Sequence, residues 1–171
     1  MVLLSNIPKG IAVSASGRKF SNYPSNLDPN NTRYDVAELT SYDTETPYPA
    51  EEINNPPGGS INYTTGSPGM LSSFWKDNVI RLGMAEFLAA GANFQEYFVG
   101  VQSVVIDAKD RLWVLDSGRA LTPSGGQVPA THGGVKLIGI DLTHDTVFTT
   151  IILPTTVAFS DSVRRALLLC Y

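Results

Sequence analysis

The chain has one cysteine in 171 residues, which excludes an intrachain disulfide. That residue, Cys170, stands beside the C-terminus with no partner for metal binding or nucleophilic chemistry, and it reads as a plain thiol. Basic residues are sparse and scattered: 12 Lys and Arg face 16 Asp and Glu, for a net charge of −4, and the densest pair is Arg164-Arg165. Nucleic-acid binding needs a clustered positive surface, so no nucleic-acid partner is expected. Long apolar runs are missing too. Ile151-Ile152-Leu153 and residues 166–169 are the strongest, far below the ~20 residues of a membrane helix, so no membrane partner is expected. Met1 to Pro8 carry no basic segment and too short an apolar run for a signal peptide. No Walker loop, dinucleotide fingerprint or nucleophile elbow is present. Gly125-Gly126 and Gly133-Gly134 read as loop glycines. His132 lies in a Gly-rich loop and His144 in a turn, with no His or Cys at ligand spacing, so neither a metal nor a cofactor is expected.

What is present is globular composition, 43% apolar and 16% charged, at a length that favours one compact domain. With 15 Gly and 11 Pro, a turn-rich β protein is favoured over a helical bundle. Two sequons, Asn30-Asn31-Thr32 and Asn62-Tyr63-Thr64, matter only if the chain is secreted.

Residues 11–14 read as a short strand, 15–17 as a turn and 18–22 as a second strand. Residues 22–70, rich in Asn, Pro, Ser, Thr and Tyr, read as a long connection with at most short strands such as 34–39. Pro56-Pro57-Gly58-Gly59 bars regular structure locally. From Trp75 to Asn93, Ile80, Met84, Phe87, Leu88 and Gly91 follow helical spacing, Asp77 suits a cap, and Gly91 suits a stop. Beyond Val101 the pattern turns to strands at 102–107, 111–116, 135–142 and 147–153, the last stopped by Pro154. Four short antiparallel strands in about 50 residues make one propeller blade.

An internal repeat supports that reading. Residues 10–20 lie over residues 103–113, so that small-apolar strand, turn, Arg and aromatic coincide 93 residues apart. Each copy reads as the inner hairpin of a blade. The offset exceeds the ~40–50 residues of common blades, and an insertion in the first blade, carrying the 75–93 helix, is expected to account for the excess.

The run from Phe98 to Arg119, with Val104-Val105-Ile106-Asp107-Ala108-Lys109-Asp110-Arg111-Leu112-Trp113-Val114-Leu115-Asp116-Ser117-Gly118 at its centre, resembles the signature of the Yellow or major royal jelly protein family. Gly10 to Ser14 with Gly17-Arg18-Lys19-Phe20-Ser21-Asn22-Tyr23-Pro24 resembles that family's opening blade, in detail most like microbial, especially fungal, members. Residues 135–142 resemble its third strand. The resemblance covers roughly residues 8–65 and 92–162. It implies an all-β fold, here an incomplete six-bladed β-propeller with about two blades present and one helical insertion. The expected divisions are 1–65, first blade and long connection; 66–92, an insertion helical in part; 93–162, second blade; and 163–171, a tail off the family pattern. Six blades need roughly 250 residues or more, so the chain is expected to be a fragment of such a fold. Two blades leave apolar faces uncovered, so an unstable chain or self-association through exposed blade faces is expected.

Strand order places Gln102 and Ser103 near Asp116, Ser117, Gly118 and Arg119 at one end of the blade. Lys9, Gly10, Asn22 and Tyr23 are their first-blade equivalents. Gln102, Ser103, Asp116, Ser117 and Arg119 are the ligand-binding candidates, by the resemblance and by this geometry. The bland alternative is that Asp116 and Ser117 only satisfy turn backbone. Asp107 is a second candidate carboxylate, better suited to an Asx turn. Trp113 and Phe20 suit core packing. The resemblance implies a small-molecule ligand, an aromatic amine or pigment precursor, bound or converted, and an extracellular setting. A metal-dependent lactonase-type hydrolase is the alternative, by fold analogy alone. A third reading is a fragment without independent activity.

Overall fold

In a computed structural model of the chain, the described residues are 8–24, 27, 31, 34–55, 61–65, 86–90, 95–120, 127, 130 and 134–159. In chain order the elements are β1 (Gly10–Val13), β2 (Lys19–Asn22), β3 (Val36–Leu39), β4 (Glu45–Pro47), α1 (Glu51–Asn54), β5 (Ile61–Thr65), β6 (Glu86–Ala90), β7 (Val101–Ile106), β8 (Arg111–Asp116), β9 (Lys136–Asp141) and β10 (Thr146–Ile152). They form two four-stranded antiparallel meanders, β1-β2-β3-β4 and β7-β8-β9-β10, and a separate β5-β6 pair.

The two meanders start from the same hairpin chemistry. In the first, Ser14 N donates to Arg18 O at 2.9 Å and Gly17 N to Ser14 O at 3.0 Å, while Arg18 N donates to Ser14 Oγ at 2.9 Å. In the second, Asp107 N donates to Arg111 O at 3.0 Å and Asp110 N to Asp107 O at 3.0 Å, while Arg111 N donates to Asp107 Oδ1 at 3.0 Å. The left-handed turn position is Gly17 at φ 88° in one and Asp110 at φ 57° in the other; Gly and Asp tolerate that region best. The pairing registers also superpose. Ala12 faces Phe20 as Val105 faces Trp113, and Val13 faces Lys19 as Ile106 faces Leu112. The internal repeat is therefore a repeat of bonds as well as letters.

Alternation then assigns faces. Ala12, Phe20 and Val36 point from the first sheet into one cluster with Val104, Leu112, Val114, Ile138 and Ile140 of the second, joined by Tyr48 and Phe98. β1 and β2 both pack on β7, so the inner strands of the two sheets are neighbours. Phe20, Val36, Leu112, Val114 and Ile140 are fully buried.

Polar groups lock this contact at the hairpin end. Arg18 Nε and Nη2 grip both oxygens of Glu38 at 2.7 Å, while Nη1 crosses to Leu142 O and Asp145 Oδ1 at 2.8 Å. Its guanidinium lies 5.3 Å from the Phe20 ring centre and 5.2 Å from that of Tyr48. Tyr48 OH donates to Asp145 Oδ1 at 2.7 Å. The Glu38 bond, above all, holds the Arg18 guanidinium protonated. Burial, and then the bond to Asp145, push the Tyr48 phenol above its ordinary range.

Three sequence expectations change. The 75–93 helix is not seen where it is described: Glu86–Ala90 is a strand, paired with Ile61–Thr65. Phe87-Leu88-Ala89-Ala90 is a short apolar run, whose periodicity fits either state, and an available partner strand decides it. The remaining part of that helix, with Asp77 and Gly91, lies outside the described residues, as do Pro56 to Gly59. The first sheet is complete by Pro47, so the extra length falls between the sheets and not inside the first. Finally, the 22–70 connection contains, besides short strands, the one-turn helix α1. Asn54 ties α1 to β3, accepting from Asp35 N and Val36 N at 3.0 Å each and donating to Tyr48 O and Ala50 O.

Truncating the contact between sheets is expected to cost far more than truncating an open face. Phe20→Ala should lower unfolding free energy by about 3–5 kcal/mol, whereas Ile11→Ala, at a side chain 61% exposed, should change it by less than about 0.5 kcal/mol. Urea denaturation followed by circular dichroism measures both.

Candidate functional site

At the end opposite the hairpin turns, the entry to β7 is irregular. Val101 pairs with Asp116 and Ser103 with Leu115, so Gln102 is the extra residue of a bulge. The bulge re-aims its side chain along the sheet contact. Gln102 Oε1 accepts a short bond from Lys9 Nζ, and its Nε2 donates to Gly100 O at 3.3 Å. Lys9 and Gln102 are equivalents in the repeat, 93 residues apart. Beside them Asn22 Nδ2 donates to Val101 O at 3.1 Å. Asn22 is fully buried, and its Oδ1 has no hydrogen-bond partner among the described residues.

Asp116, also fully buried, accepts from four donors: Val99 N at 2.9 Å, Gly100 N at 3.0 Å, Gly118 N at 2.7 Å and Lys136 Nζ at 2.9 Å. Lys136 is likewise fully buried and sits opposite Asp116 in the strand register. A carboxylate so engaged organises backbone: it ties the segment before β7 to the loop after β8. Ser117 continues the tie, donating through N at 3.0 Å and Oγ at 2.9 Å to Gly100 O. Gly118, at φ 63°, closes the loop base; a Cβ there would meet Gly134 C at 2.2 Å, so only glycine fits.

The structure thus brings Gln102, Ser103, Asp116 and Ser117 to one end of the second sheet, with Lys9 and Asn22 of the first sheet beside them. Gln102, Asp116 and Ser117 are buried; Ser103 and Arg119 are half-buried. Asp116 is neutralised by Lys136; Lys9 is exposed and Arg119 half-buried at this end. The loop sequence from Ser117 to Gly134 contains no Asp or Glu. Sequence reasoning missed Lys136, because a lysine between apolar strand residues reads as solvent-facing. The available signal was its position on the strand next to Asp116.

Asp107 takes the Asx-turn role. Its Oδ1 accepts from Lys109 N at 2.9 Å as well as from Arg111 N, and its Oδ2 from Arg111 Nε at 2.7 Å and Trp113 Nε1 at 2.9 Å. Burial works to raise its pKa, but these donors together outweigh it and hold the carboxyl lowered to about 2. His144 is exposed in the β9-β10 turn, 2.7 Å from Asp141. His132 and Cys170 lie outside the described residues. Among the described residues no three His, Cys, Asp or Glu side chains gather as a metal site, and no helix is long and apolar enough to cross a membrane. A shallow cleft of about 250 Å³ lies elsewhere, lined by Ile53, Gln95, Glu96, Ile138, Val147 and Thr150, none of them a candidate.

A family model described as Major royal jelly protein matches residues 99–169. The match contains the whole second sheet, the bulge, Asp116 and Lys136, and runs on through residues 163–169. No curated protein matches the chain.

Lys136→Met should strand Asp116 without its cation and cost about 3–5 kcal/mol. Adding Asp116→Asn should recover part of that loss, and a double-mutant cycle in urea measures the coupling. The lowered Asp107 carboxyl has a sign of its own. Its contribution to stability is complete above the ordinary value of 3.8 and is lost as pH falls through about 2. Asp107→Asn should therefore flatten the acid limb of a stability-against-pH curve in that window.

Proposed function

We propose that the chain is a Yellow or major royal jelly-like protein whose sheets are propeller blades, and that it binds a small molecule where β1 and β7 begin. Contact falls to Gln102, Ser103, Ser117 and Arg119, with Lys9 of the first sheet, over the floor held by Asp116, Lys136 and Asn22. The observation that carries this reading is the bond between Lys9 and Gln102, which joins repeat-equivalent polar positions of the two sheets at one mouth. The match over residues 99–169 supports the family part. An extracellular setting belongs to the same reading.

Charge narrows the ligand class. Of aromatic amines and pigment precursors, one that bears a carboxylate has Lys9 and Arg119 as oppositely charged neighbours at this end, and a plain amine has not. A pigment precursor bearing a carboxylate or other oxyanion pairs with those cations.

Calorimetric titration with L-DOPA and with dopamine, which differ by the carboxylate, tests this. L-DOPA should bind saturably and more tightly, and Lys9→Ala or Arg119→Ala should raise its Kd about tenfold, ~1.4 kcal/mol. Tighter dopamine binding would refute the charge argument, and saturable binding of neither would refute the site.

A further inference from the structure

The contact between the two sheets is made by unlike faces. The first sheet offers the face carrying Ala12 and Phe20. The second answers with its opposite face, that of Val104, Leu112 and Val114. The repeat registers make this explicit. The equivalents of Ala12 and Phe20 in the second sheet are Val105 and Trp113, which point away from the first sheet. The equivalents of Val104 and Ile106 in the first sheet are Ile11 and Val13, which point away from the second. Among the described residues, each kind of face is therefore used once inside the chain and left once on its outside.

Both outer faces keep apolar side chains in water. Ile11 is 61% and Val13 56% exposed on one, with Lys19 as a polar break. On the other, Phe148 is 43% and Ile151 45% exposed. Phe148 packs edge-on to Trp113 at 5.5 Å between ring centres and crosses Gly139, where a Cβ would meet its ring at 2.5 Å. The polar lock has its counterpart as well. Arg18 crosses the existing contact to the β9-β10 hairpin at Asp145, and Arg111 is its equivalent on the outer face, over the Trp113 and Phe148 rings at 5.5 and 5.0 Å. The matching hairpin of a first sheet is residues 40–44, which presents Asp43 and the 87% exposed Tyr42.

We infer that a second copy of this chain seats its Ile11-Val13 face on the Trp113-Phe148 face of the first, head to tail, repeating between molecules the contact already made within one. The interface is heterologous, so it propagates into a ring or an open chain of copies instead of stopping at a symmetric pair. The occupant is a copy because the chain itself already presents the complementary face, with Asp43 placed for Arg111. The inference rests on the geometry of the two sheets and is independent of the ligand reading.

Sedimentation velocity on the full chain tests it with Val13→Asp and Ile151→Asp. Both sites are exposed, and unchanged far-ultraviolet circular dichroism verifies the fold; Ile11→Asp serves as a second variant of the first face. Wild-type protein should associate as its concentration rises. Each variant alone, with one kind of face blocked, should lose that association and stay monomeric. An equimolar mixture of the two should form one-to-one pairs and nothing larger, because each keeps the face the other lacks. Three results would each overturn the inference: a wild-type chain monomeric throughout, a single variant that self-associates like wild type, or a mixture that forms no pairs. A monomeric wild type would assign the open faces to an occupant other than a copy.

Discussion

A β-sheet that is apolar on both faces cannot satisfy itself, because water must be kept from two surfaces with one layer of chain. The second sheet is of this kind. Val104, Leu112, Val114, Ile138 and Ile140 lie on one side, and Val105, Trp113, Leu115 and Leu137 on the other. The first sheet covers one of those sides and is itself covered by it. The rest of the arrangement follows. Inner strands lie beside inner strands, the hairpin turns share one end, and the polar strand entries share the other. Arg18 fixes the register of the contact, because its guanidinium is held by Glu38 in its own sheet before it reaches Asp145 in the next.

The two ends of this sandwich use polar groups differently. At the hairpin end, Arg18, Glu38, Tyr48 and Asp145 bind sheet to sheet near the surface. At the strand-entry end the charges go inward. Asp116 and Lys136 cancel each other within the second sheet while the carboxylate gathers three backbone N–H groups. The first sheet buries Asp35 and the neutral Asn22 at this end, Asn22 facing Val36 in the register. A fixed second-sheet rim and a less saturated first-sheet rim therefore meet at Lys9 and Gln102.

The second sheet was the most legible part in sequence. Its strands are five or more residues of mostly apolar character, each stopped by a turn residue. The first hairpin was legible from its own strand-turn-strand pattern, and the repeat then aligned it with the second. Glu45-Thr46-Pro47 did not, since a three-residue edge strand ending in proline carries no period. Glu51–Asn54 is a single turn, too short for a helical pattern to repeat. The placement of Gln102, Ser103, Asp116 and Ser117 at one end followed from strand direction alone. What the spacing could not convey was the saturation of Asp116, because that depends on Lys136 on the neighbouring strand and on the backbone of residues 99, 100 and 118.

The gap between the sheets also bears on how the chain is made. The first meander is complete at Pro47, but the strand that shelters Phe20 begins only at Val101, and the last strand of its cover ends at Ile152. At typical elongation speeds the ribosome needs roughly 5–20 s to synthesise that intervening and covering length. For that interval the nascent first meander waits with its aromatic side bare, and holding it from the wrong neighbour falls to chaperones or to the tunnel exit.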